Sequence, residues 1–434
     1  MNNIQLKIKN FGPIINGFEG GDGFMSIPKV TLFCGPQGSG KSTIAKVLSS
    51  MIWLEKAASF VSWKGKDVEI QGDKMIHSLL DWHGLASYFH PDMELGYRGD
   101  YLILEYSKRV LRLSTNNQTD VSYRQPKIMY IPAERNFLHL LDTSTASKTL
   151  PHPLRVLLDE FILARKSLKV GEAYQLPVNG YCYMFDAANS QDYIANSHNK
   201  GETNKTPVGV ASSGLQSVLP LLLITDYLCS TTKNATNRGH DVSSLLVNSN
   251  PFIYKDDNDL ICYLGTGGKM EIVDLLNGMM THASCFINIV EEPEQNLFPP
   301  TQRSVLRHLI RVCNALNNNR LILSTHSPYI IADLVAAMRV DGLLRRIDQY
   351  DKYKTVGQVR ELAHKCYPQE ATINAGDVCL YETSYNGTVS RANDGQVISD
   401  SNFLNRHLAL SNMLFQEIDS LEEMAEGLGI FREL

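Results

Sequence analysis

The sequence predicts an α/β fold, a mixed sheet with helices packed on it, from three stretches. The first is GPQGSGKST at residues 35–43, set between an apolar strand over 30–34 and an apolar-periodic helix running to about Lys56. The second is an apolar run at 285–290 that ends in Glu291 and Glu292. The third, at 321–323, ends in Ser324, Thr325, His326, Ser327 and Pro328. Open α/β sheets hold their ligands at the C-terminal ends of buried strands, where these polar groups fall.

Along the chain, Ile4, Leu6 and Ile8 alternate with polar residues and predict an opening strand, followed by a turn at Phe11-Gly12-Pro13. Gly35, Pro36, Gln37, Gly38, Ser39, Gly40, Lys41, Ser42 and Thr43 then fit G-x-x-x-x-G-K-[ST] in its strand–helix context. The loop lets backbone N–H groups close around phosphate oxygens at the positive end of a helix. Lys41 is placed to reach the β- and γ-phosphates, and the Ser42 hydroxyl to ligate Mg²⁺. Residues 58–125 predict a β-rich insertion: Tyr101, Ile103 and Glu105, then Val110, Arg112 and Ser114, turn at Ser107-Lys108. His83 and His90 lack ligand spacing and are expected as ordinary surface or core residues. A second buried strand at 127–131 ends in Pro132-Ala133-Glu134-Arg135-Asn136, either a ligand-facing loop or a surface ion pair.

Residues 137–169 look helical, with an apolar stripe through Leu154, Leu157 and Phe161, and 196–208 reads as a polar loop. Together 137–210 are expected to form a helical or irregular lobe. Small residues at 211–214 precede an apolar-faced helix, with Ser212 or Ser213 as its cap and Pro220 predicting a kink or a late start. Residues 230–250 read as an exposed loop and 265–268 as a glycine turn. After the strand at 285–290 comes a helix carrying Val305, Leu306, Leu309, Ile310 and Cys313. The main domain is thus expected over 1–345. Residues 346–434 are expected as a small α+β appendage: a helix at 356–366, a type I′ hairpin at Asn386-Gly387, and a closing helix at 403–418.

The bulk properties are those of an ordinary globular chain: 434 residues, 43% hydrophobic, 20% charged and a net charge of -5. That charge gives no general pull toward nucleic acid. Eight scattered cysteines without a C-x-x-C pair fit reduced thiols. The N-terminus lacks a signal-peptide core, and no apolar run has transmembrane length, so a cytoplasmic protein with no membrane partner is expected.

A phosphate loop holds nucleotide, whereas hydrolysis also needs an acid at the metal and a base for the attacking water. By position Glu291 serves Mg²⁺ and Glu292 polarises the water, while His326 senses or stabilises the γ-phosphate.

In this order, GPQGSGKST, SSGLQ, VEEPEQNLFP and STHSP resemble the head domains of ABC-type P-loop ATPases. The resemblance is to the soluble branch: structural-maintenance-of-chromosomes (SMC) heads, RecF-like proteins, and the AAA family ATPases of overcoming-lysogenisation-defect and Septu-type defence systems. It covers residues 1 to about 335, more weakly the tail. It implies an ATP- and Mg²⁺-dependent ATPase working as a nucleotide-sandwich homodimer or higher oligomer. Ser212, Ser213 and Gly214 then match the signature loop that meets the γ-phosphate held by the other subunit, and 294–297 match the D-loop. Glu291 departs from the usual aspartate, and Ser213 stands where transport-type members have glycine. Gln125 and the Glu134-Arg135 turn both remain candidates for the Q-loop. A heptad-free middle argues against a chromosome-clamping member.

Three functions are expected in descending order. The first is an ATP-driven switch in antiviral defence, controlling a separately encoded effector nuclease. The second is a RecF-like DNA-repair ATPase, which needs a basic groove that the composition does not advertise. The third is a nuclease site in the tail around Arg360, Glu361 and His364, for which a solvated helix face is the better account.

Overall fold

A computed structural model describes residues 4–60, 68–71, 73–116, 123–140, 150–169, 173–178, 180–186, 191–196, 205–233, 254–255, 261–262, 283–348, 354–394 and 397–398. The chain opens with β1 (Ile4–Lys9), β2 (Gly17–Phe18), β3 (Met25–Ile27), β4 (Val30–Cys34) and α1 (Lys41–Phe60). There follow β5 (Val68–Gln71), α2 (Asp73–Asp81), β6 (Glu94–Arg98), β7 (Leu102–Ser107), β8 (Val110–Thr115) and β9 (Pro126–Ile131). Next come α3 (His152–Ser167), β10 (Tyr174–Gln175), β11 (Tyr181–Asp186), β12 (Gln191–Asn196), β13 (Lys205–Pro207) and α4 (Ser213–Lys233). A two-stranded ladder, β14 (Tyr254–Lys255) and β15 (Ile261–Cys262), precedes β16 (Cys285–Glu291), α5 (Pro299–Asn314), β17 (Arg320–Thr325) and α6 (Pro328–Asp348). The chain continues through α7 (Lys354–Cys366), β18 (Val378–Thr383) and β19 (Thr388–Arg391).

The central sheet runs in the order β2-β19-β18-β4-β17-β16-β9, and the five strands from β18 to β9 are parallel. β4, β16 and β17 are buried along their whole length, as strands covered on both faces are. One face carries α3, α4, α5 and α6 over a core that includes Leu219, Leu222, Leu309 and Leu334. The other carries α1, which lies between the central sheet and a six-stranded antiparallel sheet ordered β3-β1-β6-β7-β8-β5. Glu55 on α1 joins the two: it is buried and accepts from the Tyr97 hydroxyl at 2.7 Å and the Tyr101 N–H at 2.6 Å. The α/β fold, with a phosphate loop on a mixed sheet, is therefore observed.

Several expectations change. The β-rich insertion expected over 58–125 shares its antiparallel sheet with the N-terminus, because β6 pairs with β1. The 137–210 lobe is not helical or irregular throughout: β10 to β13 form a four-stranded antiparallel sheet, and Lys205–Pro207 pairs with β12 instead of looping. The helix expected from 137 begins at His152, because Pro151 and Pro153 lock the start of α3, and Ala133–Leu140 is a 3₁₀ turn. α4 runs without interruption through Pro220 and starts at Ser213, so it does not start late. The boundary at 345 falls inside α6, and the tail is no appendage, since β18 pairs in parallel with β4. Its hairpin is not type I′. Gly387 alone is left-handed (φ 75°), and its N–H closes a type I turn on the Ser384 carbonyl at 3.1 Å. The left-handed pair instead turns β7 into β8, at Lys108 (φ 50°) and Arg109 (φ 65°). The glycine turn at 265–268, the closing helix at 403–418 and most of the loop expected at 230–250 lie outside the described residues. Among the described residues, no helix is long and apolar enough to cross a membrane.

Candidate active site

The site lies where β4, β17, β16 and β9 end side by side. β4 delivers the phosphate loop, in which Gly35 (φ 141°), Gly38 (φ 75°) and Gly40 (φ 98°) all take positive-φ conformations that favour glycine. At Gly35 a Cβ would also collide with the Thr383 carbonyl, so the tail strand closes one side of the cradle. Thr383 further bonds Ser39 (Oγ to Oγ1 2.6 Å) and donates to the Cys34 carbonyl at 3.1 Å. The Lys41 ammonium folds onto its own loop, 2.9 Å from the Gly35 carbonyl and 2.7 Å from that of Pro36. Burial pushes it down to about 8, with the charge of Glu292 foremost among the groups opposing that shift.

Glu291 is the last residue of β16 and is buried; its Oε1 has no hydrogen-bond partner among the described residues. Burial raises its carboxyl above the ordinary range, opposed by the Tyr130 and Ser42 hydroxyls. Tyr130 pairs with Ile289 in the β9–β16 register and so shares the face of Glu291. An unpartnered buried acceptor beside Ser42, below a glycine cradle and a lysine, fits Mg²⁺ held with a nucleotide phosphate.

Glu292 turns away from the strand in the left-handed region (φ 44°) and is partly exposed. Its Oε1 stands 3.5 Å from His326 Nε2. Burial and Lys41 hold the His326 imidazole below its ordinary value, against the pull of Glu292 and of the Gly35 carbonyl. A neutral ring at pH 7 can donate a hydrogen bond.

Arg135, fully buried after β9, clamps this corner. Its guanidinium donates to the carbonyls of Glu291 (2.6 Å), Glu292 (2.6 Å), Pro132 (3.2 Å) and Ser217 (3.1 Å). Burial lowers it to about 10, opposed by Glu294, Glu292 and Glu291. The Glu134-Arg135 turn is thus at the site. Gln125 is not: it precedes the first residue of β9, at the opposite end of the sheet.

The signature candidates lie apart from this cluster. Ser212 and Ser213 are exposed, and among the described residues no hydrogen bond joins residues 212–214 to the phosphate loop. They abut the turn after β16 instead. A Cβ on Gly214 would sit 2.6 Å from the Asn296 carbonyl, and the Ser217 hydroxyl meets Gln295 Oε1 at 3.1 Å.

No protein-family model and no curated protein matches the chain. Among solved structures it is similar to the SMC head domain from Thermotoga maritima, at 10% identity and a TM-score of 0.36, over 90% of this chain and 98% of that one. It is also similar to an SMC head bound to the C-winged helix domain of ScpA, at 8% identity and a TM-score of 0.34, over 76% of this chain and 90% of that one. Scores this low leave the functional argument to the residues themselves.

Sequence reasoning missed Thr383, Tyr130 and Glu294 as parts of the site. The first two come from strands whose neighbours are set only by the tertiary fold. Glu294 lies in the matched D-loop stretch, but no local pattern marked its side chain.

Proposed function

We propose that the chain is a Mg²⁺-dependent ATPase that works as a pair of copies. The observation that carries this reading is the convergence of Lys41, Glu291, Glu292 and His326 at the ends of adjacent parallel strands, with His326 3.5 Å from Glu292. Lys41 exchanges its two loop carbonyls for phosphate oxygens, while Glu291 and Ser42 would hold Mg²⁺. Bound Mg²⁺ supplies charge neutralisation at the phosphates. Glu292 takes the proton of the attacking water, and the neutral His326 ring donates to the γ-phosphate.

Two observations support the paired arrangement. Ser212 and Ser213 are exposed and, among the described residues, make no hydrogen bond to their own cradle. Large apolar side chains are also exposed within a few residues of the site: Val210 (75%), Phe298 (74%) and Tyr385 (78%), with Phe137, Tyr329 and Ile15. Exposed apolar side chains of this kind are suited to burial by a partner. A second copy would cover it and bring its signature loop to the γ-phosphate. We further propose, on the sequence resemblance alone, that the change of state controls a separately encoded effector nuclease in antiviral defence.

Lys41→Ala tests the reading. It is expected to lose binding of a fluorescent ATP analogue together with turnover, since a charge-assisted contact to phosphate disappears. Undiminished ATPase activity in that variant would remove the basis of the proposal.

A further inference from the structure

Glu294 is half-buried, yet the hydrolytic roles above do not use it. It sits in the turn at 292–297, cinched by Gln295 N–H to the Glu292 carbonyl (3.0 Å) and Leu297 N–H to the Glu294 carbonyl (3.0 Å). From there its Oε1 reaches across to the end of β17. It accepts from the Thr325 hydroxyl and from the His326 N–H, each at 2.7 Å. The Thr325 oxygen in turn accepts from the Ser327 N–H at 2.9 Å. One carboxylate oxygen therefore organises the three residues that carry the histidine from strand to helix. The other oxygen, Oε2, is buried without a hydrogen-bond partner among the described residues.

We propose that Glu294 is a positioning residue, whose Oε1 holds the His326 backbone so that the imidazole stays against Glu292. The proposal rests on the reading of Glu292 and His326 as the hydrolytic pair. Glu294 touches no substrate; it acts through His326. Its role is that of an acceptor, because both donors converge on one oxygen, and a glutamine can present an oxygen at the same place. The same turn also carries the Asn296 carbonyl against Gly214, and Gln295 against Ser217. The aim of the histidine and the seat of the signature loop are therefore set by one short segment.

The test compares the full chain with Glu294→Ala, Glu294→Gln and Thr325→Val. It measures steady-state turnover against ATP and pH, affinity for a fluorescent ATP analogue, and thermal unfolding. Glu294→Ala is expected to lower kcat about tenfold or more, as a displaced proton-handling or donor group does. KM and analogue affinity should stay within about twofold, because Lys41 and its loop are untouched. The limb of the pH–rate profile governed by His326 should shift. Glu294→Gln should restore most of kcat and the original profile, and Thr325→Val, which keeps one of the two bonds, should fall between. A Glu294→Ala kcat within twofold of the parent, or a Glu294→Gln variant as slow as the alanine, would overturn the proposal. If the alanine variant does not fold, an unaltered kcat and pH profile in Thr325→Val overturns it. Lys41→Ala and Glu292→Gln run alongside. Full turnover in those two would sink the hydrolytic reading itself, whereas turnover lost there but kept in Glu294→Ala sinks only the positioning role.

Discussion

Replacing Arg135 should cost both stability and catalysis. The side chain is fully buried and makes four hydrogen bonds to main-chain carbonyls, two of them at 2.6 Å. At about 1 kcal/mol net for each bond the loss is roughly 4 kcal/mol. Urea m-values are about 1–3 kcal/mol/M for small proteins and larger for a chain of this length, so Arg135→Met should lower the unfolding midpoint by about 1 M. Catalysis suffers for a separate reason. Glu292 holds a left-handed backbone at φ 44°, a conformation that costs about 1–3 kcal/mol for such a residue and persists only if its surroundings impose it. Its carbonyl is gripped by Arg135 Nη2, and its N–H donates to the Ser324 carbonyl at 2.8 Å. Released from one side, the carboxylate should leave His326, and kcat should fall further than nucleotide affinity. Arg135→Lys should rescue neither property, because an ammonium cannot span carbonyls from β16 and α4 with a rigid fork. Urea titration, ATPase kinetics and analogue binding on the two variants decide the matter. A lysine variant with parental midpoint and kcat would refute the account of Arg135 as the clamp on Glu292.

Other outcomes follow from the same geometry. Glu292→Gln should bind ATP, hydrolyse it slowly and accumulate a dimer seen by size-exclusion chromatography; Glu291→Gln giving that state while Glu292→Gln turns over normally would reverse the two roles. Lys41→Ala mixed with a bulky replacement of Gly214, each inactive alone, should regain some activity, and turnover per chain that stays constant down to monomeric concentrations would refute a shared site. Lys56 is buried, and desolvation with the nearby charge of Lys127 lowers it to about 7. Between that value and its ordinary one near 10.5 the unfolded chain binds the extra proton, so this lysine weakens the fold most below pH 7, and stability rises with pH through the window. Lys56→Met should therefore stabilise by a few kcal/mol at pH 6, on the order of the full shift at 1.36 kcal/mol per unit. The gain should shrink toward pH 10, and a pH-independent difference in urea melts would contradict this.

The parts of the site that were legible in the sequence are those written locally. A phosphate loop needs its glycines in succession, and an apolar strand ending in Glu291-Glu292 or in Thr325-His326 declares both burial and direction within ten residues. What escaped depended on partners far away in the chain. The polar stretch before the signature loop lacks apolar periodicity, yet Lys205–Pro207 is held in a ladder by β12. Alternating tyrosines at 181 and 183 were the available strand signal there. Asn386-Gly387 has the composition of a type I′ turn, but its geometry is set by Gly387 packing on the Pro13–Ile15 backbone. Gln125 and the Glu134-Arg135 turn are both Q-loop candidates in the sequence, although only the turn follows the C-terminal end of its strand, where open sheets hold ligands.

The contact of Thr383 with Ser39 spans 344 residues of chain. β4, the strand that presents the phosphate loop, has a neighbour on one side from 320–325 and on the other from 378–383, and neither exists early in synthesis. As the chain leaves the ribosome, its first strands and α1 emerge long before the pieces that brace them. The loop-closure entropy for those pairings falls due last. On the proposed ATPase reading, ATP would be a ligand for the finished chain and not for its nascent N-terminal portion. A ribosome stalled before residue 378 would display the complete GPQGSGKST motif and retain no nucleotide.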